Sequence, residues 1–263
     1  ALLFADAGVV CAVDLSVRPN RQPSESNTEI SVKGPKDCFI EDIVVNMALI
    51  RKRIRSSSLH VDHFTIGRRT KTKISLLYFY DIANPDVVRN VKRRLRQIDI
   101  DGLFSINQLE EYLTGKRFKI LPLMDFTGRP DFAVNSLLSG RFVILIDGVP
   151  MVLIGPAALS LILKSPEDAH FNYSYVSFAR IIRAISLLLS IFLPAFWVAL
   201  MAFHQDQIPF RMMATISITR IGLPLSAHME MFILLMLLEI FREAGVRLPS
   251  AIGQTLTSIG GLI

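Results

Sequence analysis

The feature that most constrains this chain is a charge-free run of twenty residues, AISLLLSIFLPAFWVALMAF, from Ala184 to Phe203. A helix over it, rising about 1.5 Å per residue, covers roughly 30 Å, the thickness of a bilayer's hydrocarbon core. Pro194 lies near the middle and predicts a kink, which membrane helices tolerate when neighbours satisfy the freed carbonyl. Charge elsewhere is divided unevenly. Of 29 Lys+Arg and 23 Asp+Glu, only eight charged residues fall in 184–263, and those eight cancel, so the net +6 belongs entirely to residues 1–183. This excludes one uniform soluble domain, a disordered chain and an end-to-end transporter. A charged globular region joined to a membrane region is left.

The first region reads as mixed α/β. ALLFADAGVVCAVDL (1–15) and RFVILIDGVPMVLIG (141–155) each place two apolar runs around an Asp- and Gly-containing turn. That echo suggests two sub-domains, 1–80 and 81–164. Between them, Asp37 is positioned to cap a helix with the apolar stripe Ile40, Ile43, Val44, Met47 and Ile54. LHVDHFTIG and KISLLYFY follow as a strand pair, the second apolar enough to be central. Asn84 caps a helix with Pro85 first, Val87, Val88, Val91 and Leu95 inward, and Arg89, Lys92, Arg93 and Arg96 on the other face. Residues 105–114 and 130–139 read as short helices.

The basic rows fit either a solvated helix face or attraction to an anionic membrane surface. They lack the interleaved aromatic platform of a nucleic-acid binder, so no nucleic-acid partner is expected. No phosphate loop, metal-ligand spacing or nucleophile motif occurs, and Cys11 and Cys38 read as small core residues. Catalytic, cofactor and metal residues are therefore expected to be none, and the chain is expected not to be an enzyme. It lacks an initiator Met and stops inside an apolar stretch, so it reads as a piece of a longer protein.

Ser165, Pro166, Glu167 and Asp168 have the chemistry of a helix start and predict an interfacial connecting helix over 165–183, fused to the span at 184–203. Phe171, Tyr173, Tyr175 and Phe178 resemble an interfacial aromatic belt. Arg220, Gly222, Pro224, His228 and Glu230 interrupt the later apolar sequence. The prediction there is an interfacial or re-entrant piece over 207–222, a shorter span over 225–241 and the start of a third over 251–263. Arg180, Arg183, Arg242 and Arg247 fall on one side of the membrane in this scheme. They act as topology anchors that put the α/β region in the cytoplasm, with Arg211 and Arg220 opposing.

Ionisable groups at membrane depth are costly, which makes Glu230, with His228 and Arg220 as possible partners, a candidate for an ion pathway or helix contact. Gly253 and Gly260 suit close helix packing in the same role. Glu239, nine positions after Glu230, falls on the opposite face of a straight helix and reads as a partner of Arg242. Ser165 to Asp168 and Pro194 are the candidate gating and coupling residues.

GRRTKTK, IANPDVVRNVKRRLRQIDIDG, SPED, LPAFWVALMAFHQDQIP and LEIFREAGVRLPSAIGQ stand in an order that resembles the GerA-type spore germination proteins, specifically the A subunit or its spoVA-operon paralogues. The resemblance implies a cytoplasmic region of two α/β sub-domains, a bundle of membrane helices and residence in the spore inner membrane. It also implies work with a transporter-like B subunit and a lipoprotein C subunit, and homo-oligomerisation into an assembly that releases monovalent cations. A channel subunit gated by germinant recognition is the expected function. The alternative is a non-conducting scaffold whose basic domain docks partners or membrane lipid.

Overall fold

The computed structural model describes residues 2–4, 9–11, 29, 31, 33–115, 123–158, 161, 163–220 and 225–247. The chain divides into two units, residues 1–178 and 179–263.

In the first unit, β1 (Leu2–Phe4) and β2 (Val9–Cys11) form an antiparallel pair, the first of the expected hairpins. The main sheet has five antiparallel strands: β3 (Leu59–Ile66), β4 (Thr72–Phe79), β5 (Asp125–Thr127), β6 (Phe142–Ile146) and β7 (Val152–Gly155), in the order β3-β4-β6-β7-β5. Among the described residues, four helices pack on it: α1 (Ile43–Arg53), α2 (Pro85–Gln97), α3 (Ile106–Thr114) and α4 (Pro130–Leu138).

Strand alternation decides which helices go where. Ile74, Leu76, Ile144 and Ile146 face Val88, Val91 and Leu95 of α2 and Leu109 and Leu113 of α3. Leu77, Phe79, Val143 and Leu145 face Ile43 and Ile50 of α1 and Phe132 and Leu137 of α4. With helices on both faces, β6 is buried along its whole length, which explains its unbroken apolar sequence. The expected boundary at residue 80 falls inside this sheet: β4, before it, pairs with β6, after it. One sheet serves both halves, because strands apolar on both faces must lie in the middle of something larger.

Helix α1 begins later than expected. Asp42 is its cap, its carboxylate accepting from the Val44 and Val45 amides at 2.8 and 3.4 Å. Asp37 instead takes both oxygens to Arg53 Nη2, at 2.5 and 2.7 Å. Residues 38–40 are buried and lie outside any helix or strand, held by Asn46, whose amide accepts from Ile40 N at 2.8 Å and donates to Ile40 O at 2.5 Å. The start of α1 rotates the predicted stripe: Ile43, Asn46 and Ile50 point inward, and Val44 is 72% exposed.

The SPED residues form a single 3-10 turn, Pro166–Ala169, and not the start of a connecting helix. A new helix then starts at Tyr173 and carries the end of the expected connecting segment and the expected span across 183/184 without a break. Helix α5 runs unbroken from Tyr173 to Phe203, 31 residues or about 46 Å, with Pro194 inside it. It continues into the second unit, where α6 (Phe210–Arg220) and α7 (Ala227–Arg247) follow.

Candidate functional site

The first unit carries a buried charge cluster at the point where the chain leaves the sheet. Arg129 occupies the cap position of α4, ahead of Pro130. Its side chain is 2% exposed. Nε donates to Asp131 Oδ1 at 3.1 Å and Nη2 to Asp131 Oδ2 at 2.7 Å, a two-point carboxylate contact. Nη1 donates to Glu167 Oε1, in the SPED turn. His170 Nε2 stands 2.9 Å from Asp131 Oδ2, so an ionised Asp131 receives a proton donor from each side.

Glu29, Lys33 and Gly34 lie against the cluster and its surroundings. The Lys33 amide donates to Glu167 Oε2 at 3.3 Å, and Glu29 Oε2 accepts from Thr127 Oγ1 and Gly128 N at 2.9 and 3.0 Å. Gly34 lies so near that a Cβ there would stand 2.4 Å from Arg129 Nη2 and 2.8 Å from His170 Cδ2. Within the turn, Asp168 Oδ2 accepts from the Ser165 amide at 3.3 Å. Further on, Phe171 sits beneath Lys33 Nζ at 4.8 Å and beside Tyr175 at 5.1 Å between rings.

The electrostatics follow from burial with partners. Burial works against the Arg129 charge, but Asp131 and Glu167 outweigh it and hold the guanidinium above its ordinary value. Burial also pushes the Asp131 carboxyl up, and Arg129 with His170 more than reverses this, leaving it below the usual carboxylate range. A similar pair ties α2 to the sheet. Lys92, expected on the outer face, forms an ion pair with Asp62 Oδ2 and donates to the Tyr78 hydroxyl, each at 2.8 Å, and is raised despite its burial.

Of the expected coupling residues, Glu167 is in this cluster and Ser165, Pro166 and Asp168 form the turn that presents it. Sequence reasoning missed Arg129, Asp131 and His170. A signal existed: an arginine at a helix cap, where Ser, Asp or Asn would satisfy the free amides, needs another reason to be there.

In the second unit, α5 alone among the described residues is long and apolar enough to cross a membrane. Its Ile191, Phe192, Leu193 and Phe196 are between 60 and 63% exposed, unlike the residues of a soluble core helix. Helix α6 spans about 16 Å and cannot cross. Helix α7 has the length, but carries Glu230, Glu239, Arg242, Glu243 and Arg247. Pro194 and His228 line one apolar groove of about 480 Å³ between α5 and α7, together with Val198, Met231 and Phe232.

Glu230 is in the first turn of α7, its amide bonded to Ser226 O at 3.0 Å, where the helix dipole favours an acid. Arg220 ends α6 and Arg247 ends α7. Glu239 accepts from Arg242. Arg180 and Arg183 lie on α5 ahead of its charge-free stretch. Gly253, Gly260 and the third span lie outside the described residues.

These units define the class: an antiparallel α/β sandwich continued into an apolar helix of membrane-spanning length. The chain belongs to the GerA spore germination family, since the Bacillus/Clostridium GerA spore germination protein family matches it over residues 1–263. It is 45% identical to spore germination protein XA of Bacillus anthracis over 251 residues, 95% of this chain and 51% of that protein. Against spore germination protein B1 of Bacillus subtilis (strain 168) the identity is 38%, covering 100% of this chain and 55% of the relative. Stage V sporulation protein AF of the same strain is 33% identical over 100% of this chain and 53% of its own. The chain spans about half the length of these relatives. A crystal structure of the N-terminal domain of the A subunit of the Bacillus megaterium spore germinant receptor GerK3 is 35% identical, with a TM-score of 0.38. It covers 46% of this chain and 97% of its own.

Proposed function

We propose that this chain is the A-type membrane subunit of a spore germinant receptor, forming or gating an oligomeric channel that releases monovalent cations when germinant is recognised. It resides in the spore inner membrane with its α/β unit on the cytoplasmic side, and works with a transporter-like B subunit and a lipoprotein C subunit. Family membership and relatives named for spore germination support the setting.

The observation that carries the mechanism is the Arg129–Glu167 pair. Glu167 lies six positions before Tyr173, the first residue of α5, and is held by a buried charge anchored on α4. A partner that changes the free energy of this contact biases α5 without touching it, which is the requirement for coupling between separate sites. The test is cation flux from liposomes holding the full-length parent protein with its partner subunits. Flux that rises with germinant in the parent, and becomes independent of germinant in Glu167→Gln, is expected. Absent or unselective flux in the parent overturns the reading.

The non-conducting scaffold keeps one observation in its favour: Glu230, the candidate pathway residue, is in the first turn of α7, where the helix dipole favours an acid. Single-channel recording of Glu230→Gln beside the parent separates the two. Unchanged conductance removes Glu230 from the pathway, and no conductance in either favours the scaffold.

A further inference from the structure

Residues 67–101 hold nine Lys and Arg against four Asp, so most of the chain's net charge of +6 is concentrated in 35 positions. The fold gathers much of it at one end of the sheet. The β3–β4 turn carries Arg68, Arg69 and Lys71, and its backbone docks on the segment after α2, with Arg68 N bonded to Ile100 O and Arg69 N to Asp101 O, both at 2.9 Å. Helix α2 brings Arg93 and Arg96 to the same region on its last two turns. Asp99 answers Arg68, but among the described residues Arg69, Lys71, Arg93 and Arg96 have no ion-pair partner. Phe104, packed over Gly102 beside Thr70, is 76% exposed within this basic rim.

The register shows which end this is. Ile66 pairs with Thr72 at the turn, Ile74 with Ile146, Leu145 with Val152 and Thr127 with Val152. The basic turn and Thr127–Arg129 therefore share one end of the sheet, four strand spacings or about 19 Å apart. Arg129 is where the Glu167 turn is held, so the chain leaves toward α5 from the end that carries the basic patch.

From this placement we infer that the β3–β4 turn, the end of α2 and Phe104 form a docking surface for an anionic phospholipid bilayer, Phe104 entering the headgroup layer and Arg69, Lys71, Arg93 and Arg96 meeting lipid phosphates. The charge is complementary, an exposed aromatic among cations suits a headgroup boundary, and the route to α5 starts from the same end. The surface goes beyond the proposed channel function and rests only on α5 being a membrane span.

The test uses the full chain in lipid nanodiscs, with Cys11→Ala, Cys38→Ala and Phe104→Cys carrying an environment-sensitive dye, and nitroxide-labelled headgroups as quenchers. Incorporation into the disc checks the span independently of the docking. Discs containing phosphatidylglycerol are expected to quench the dye, and pure phosphatidylcholine discs are not. Salt that shortens the Debye length from about 10 to about 3 Å should reverse the quenching. Each cation removed lowers the docked-to-free ratio about five-fold, so Arg69→Gln with Lys71→Gln lowers it on the order of 25-fold. Quenching equal in both lipids, insensitive to salt or absent overturns the inference. A dye response that depends on a second copy in the disc, and not on phosphatidylglycerol, assigns the patch to a protein partner and overturns it as well. The lipid and salt comparisons need no charge substitution, so a variant that misfolds does not shelter the proposal.

Discussion

Arg129 and Arg242 each meet a carboxylate, but the two side chains are 2% and 74% exposed. Arg129 joins parts of the chain 38 positions apart and is answered by two acids, one of which also meets His170. Arg242 meets Glu239 three positions earlier in the same helix. The difference lies in what removal leaves behind. A buried pair is weak evidence of net stability when intact, yet breaking it strands a desolvated charge, whereas water takes over for an exposed partner. The α/β unit therefore uses charge to fix where chain segments sit, and α7 uses it as decoration of a helix surface.

Breaking the buried cluster should have the largest effect. Arg129→Met leaves Asp131 and Glu167 without their cation and should cost about 3–5 kcal/mol, measured by denaturant unfolding of the detergent-solubilised chain. A loss under about 1 kcal/mol would place Arg129 with Arg242 and end the distinction. Next in size is Gly34→Ala. The added methyl presses on Arg129 and His170 and should cost about 1–3 kcal/mol.

Acid reaches the same cluster by another route. Asp131 is held below its ordinary value in the fold, so its contribution to stability is present above the unfolded carboxylate value of about 3.9 and is lost as pH falls through the lower folded value. Stability should therefore fall more steeply below about pH 4 in the parent than in Arg129→Met, followed by unfolding midpoints across an acid series. Equal slopes would mean that Arg129 does not set the Asp131 titration.

The legibility of the sequence divides along similar lines. Helix α2 was readable because Asn84, Pro85 and the Val88, Val91, Leu95 stripe act locally, and β4 and β6 because strands buried on both faces are apolar throughout. The start of α1 was misplaced because Asp37 and Asp42 have the same capping chemistry, and only the distant Arg53 decides between them. The SPED residues carry helix-start chemistry, yet Glu167 is committed to Arg129, which no local pattern discloses. The cluster joins residues 33, 34, 129, 131, 167 and 170, and no spacing rule relates them. Helix α7 divides differently: the apolar centre of the span expected over 225–241 lies inside it, while Glu230, Glu239, Arg242, Glu243 and Arg247 distinguish its composition from the charge-free stretch of α5.

Val44→Lys tests the corrected face of α1 and should change stability by no more than about 0.5 kcal/mol, because Val44 is 72% exposed. A loss of several kcal/mol would restore Val44 to a packed stripe. Smaller still, Glu239→Gln removes an exposed pair at i,i+3 spacing and should cost about 0.3–0.5 kcal/mol in detergent. That substitution bears on α7 more than its size suggests. If helix α7 is solvated as an isolated surface, the loss stays within this range and shrinks with added salt, since water and ions replace the lost partner. If a bilayer or another subunit encloses α7, Arg242 is left desolvated and the cost rises toward that of Arg129→Met. Measuring both substitutions in detergent and then in lipid therefore asks whether the contrast between the two arginines belongs to the chain itself or disappears once α7 is covered.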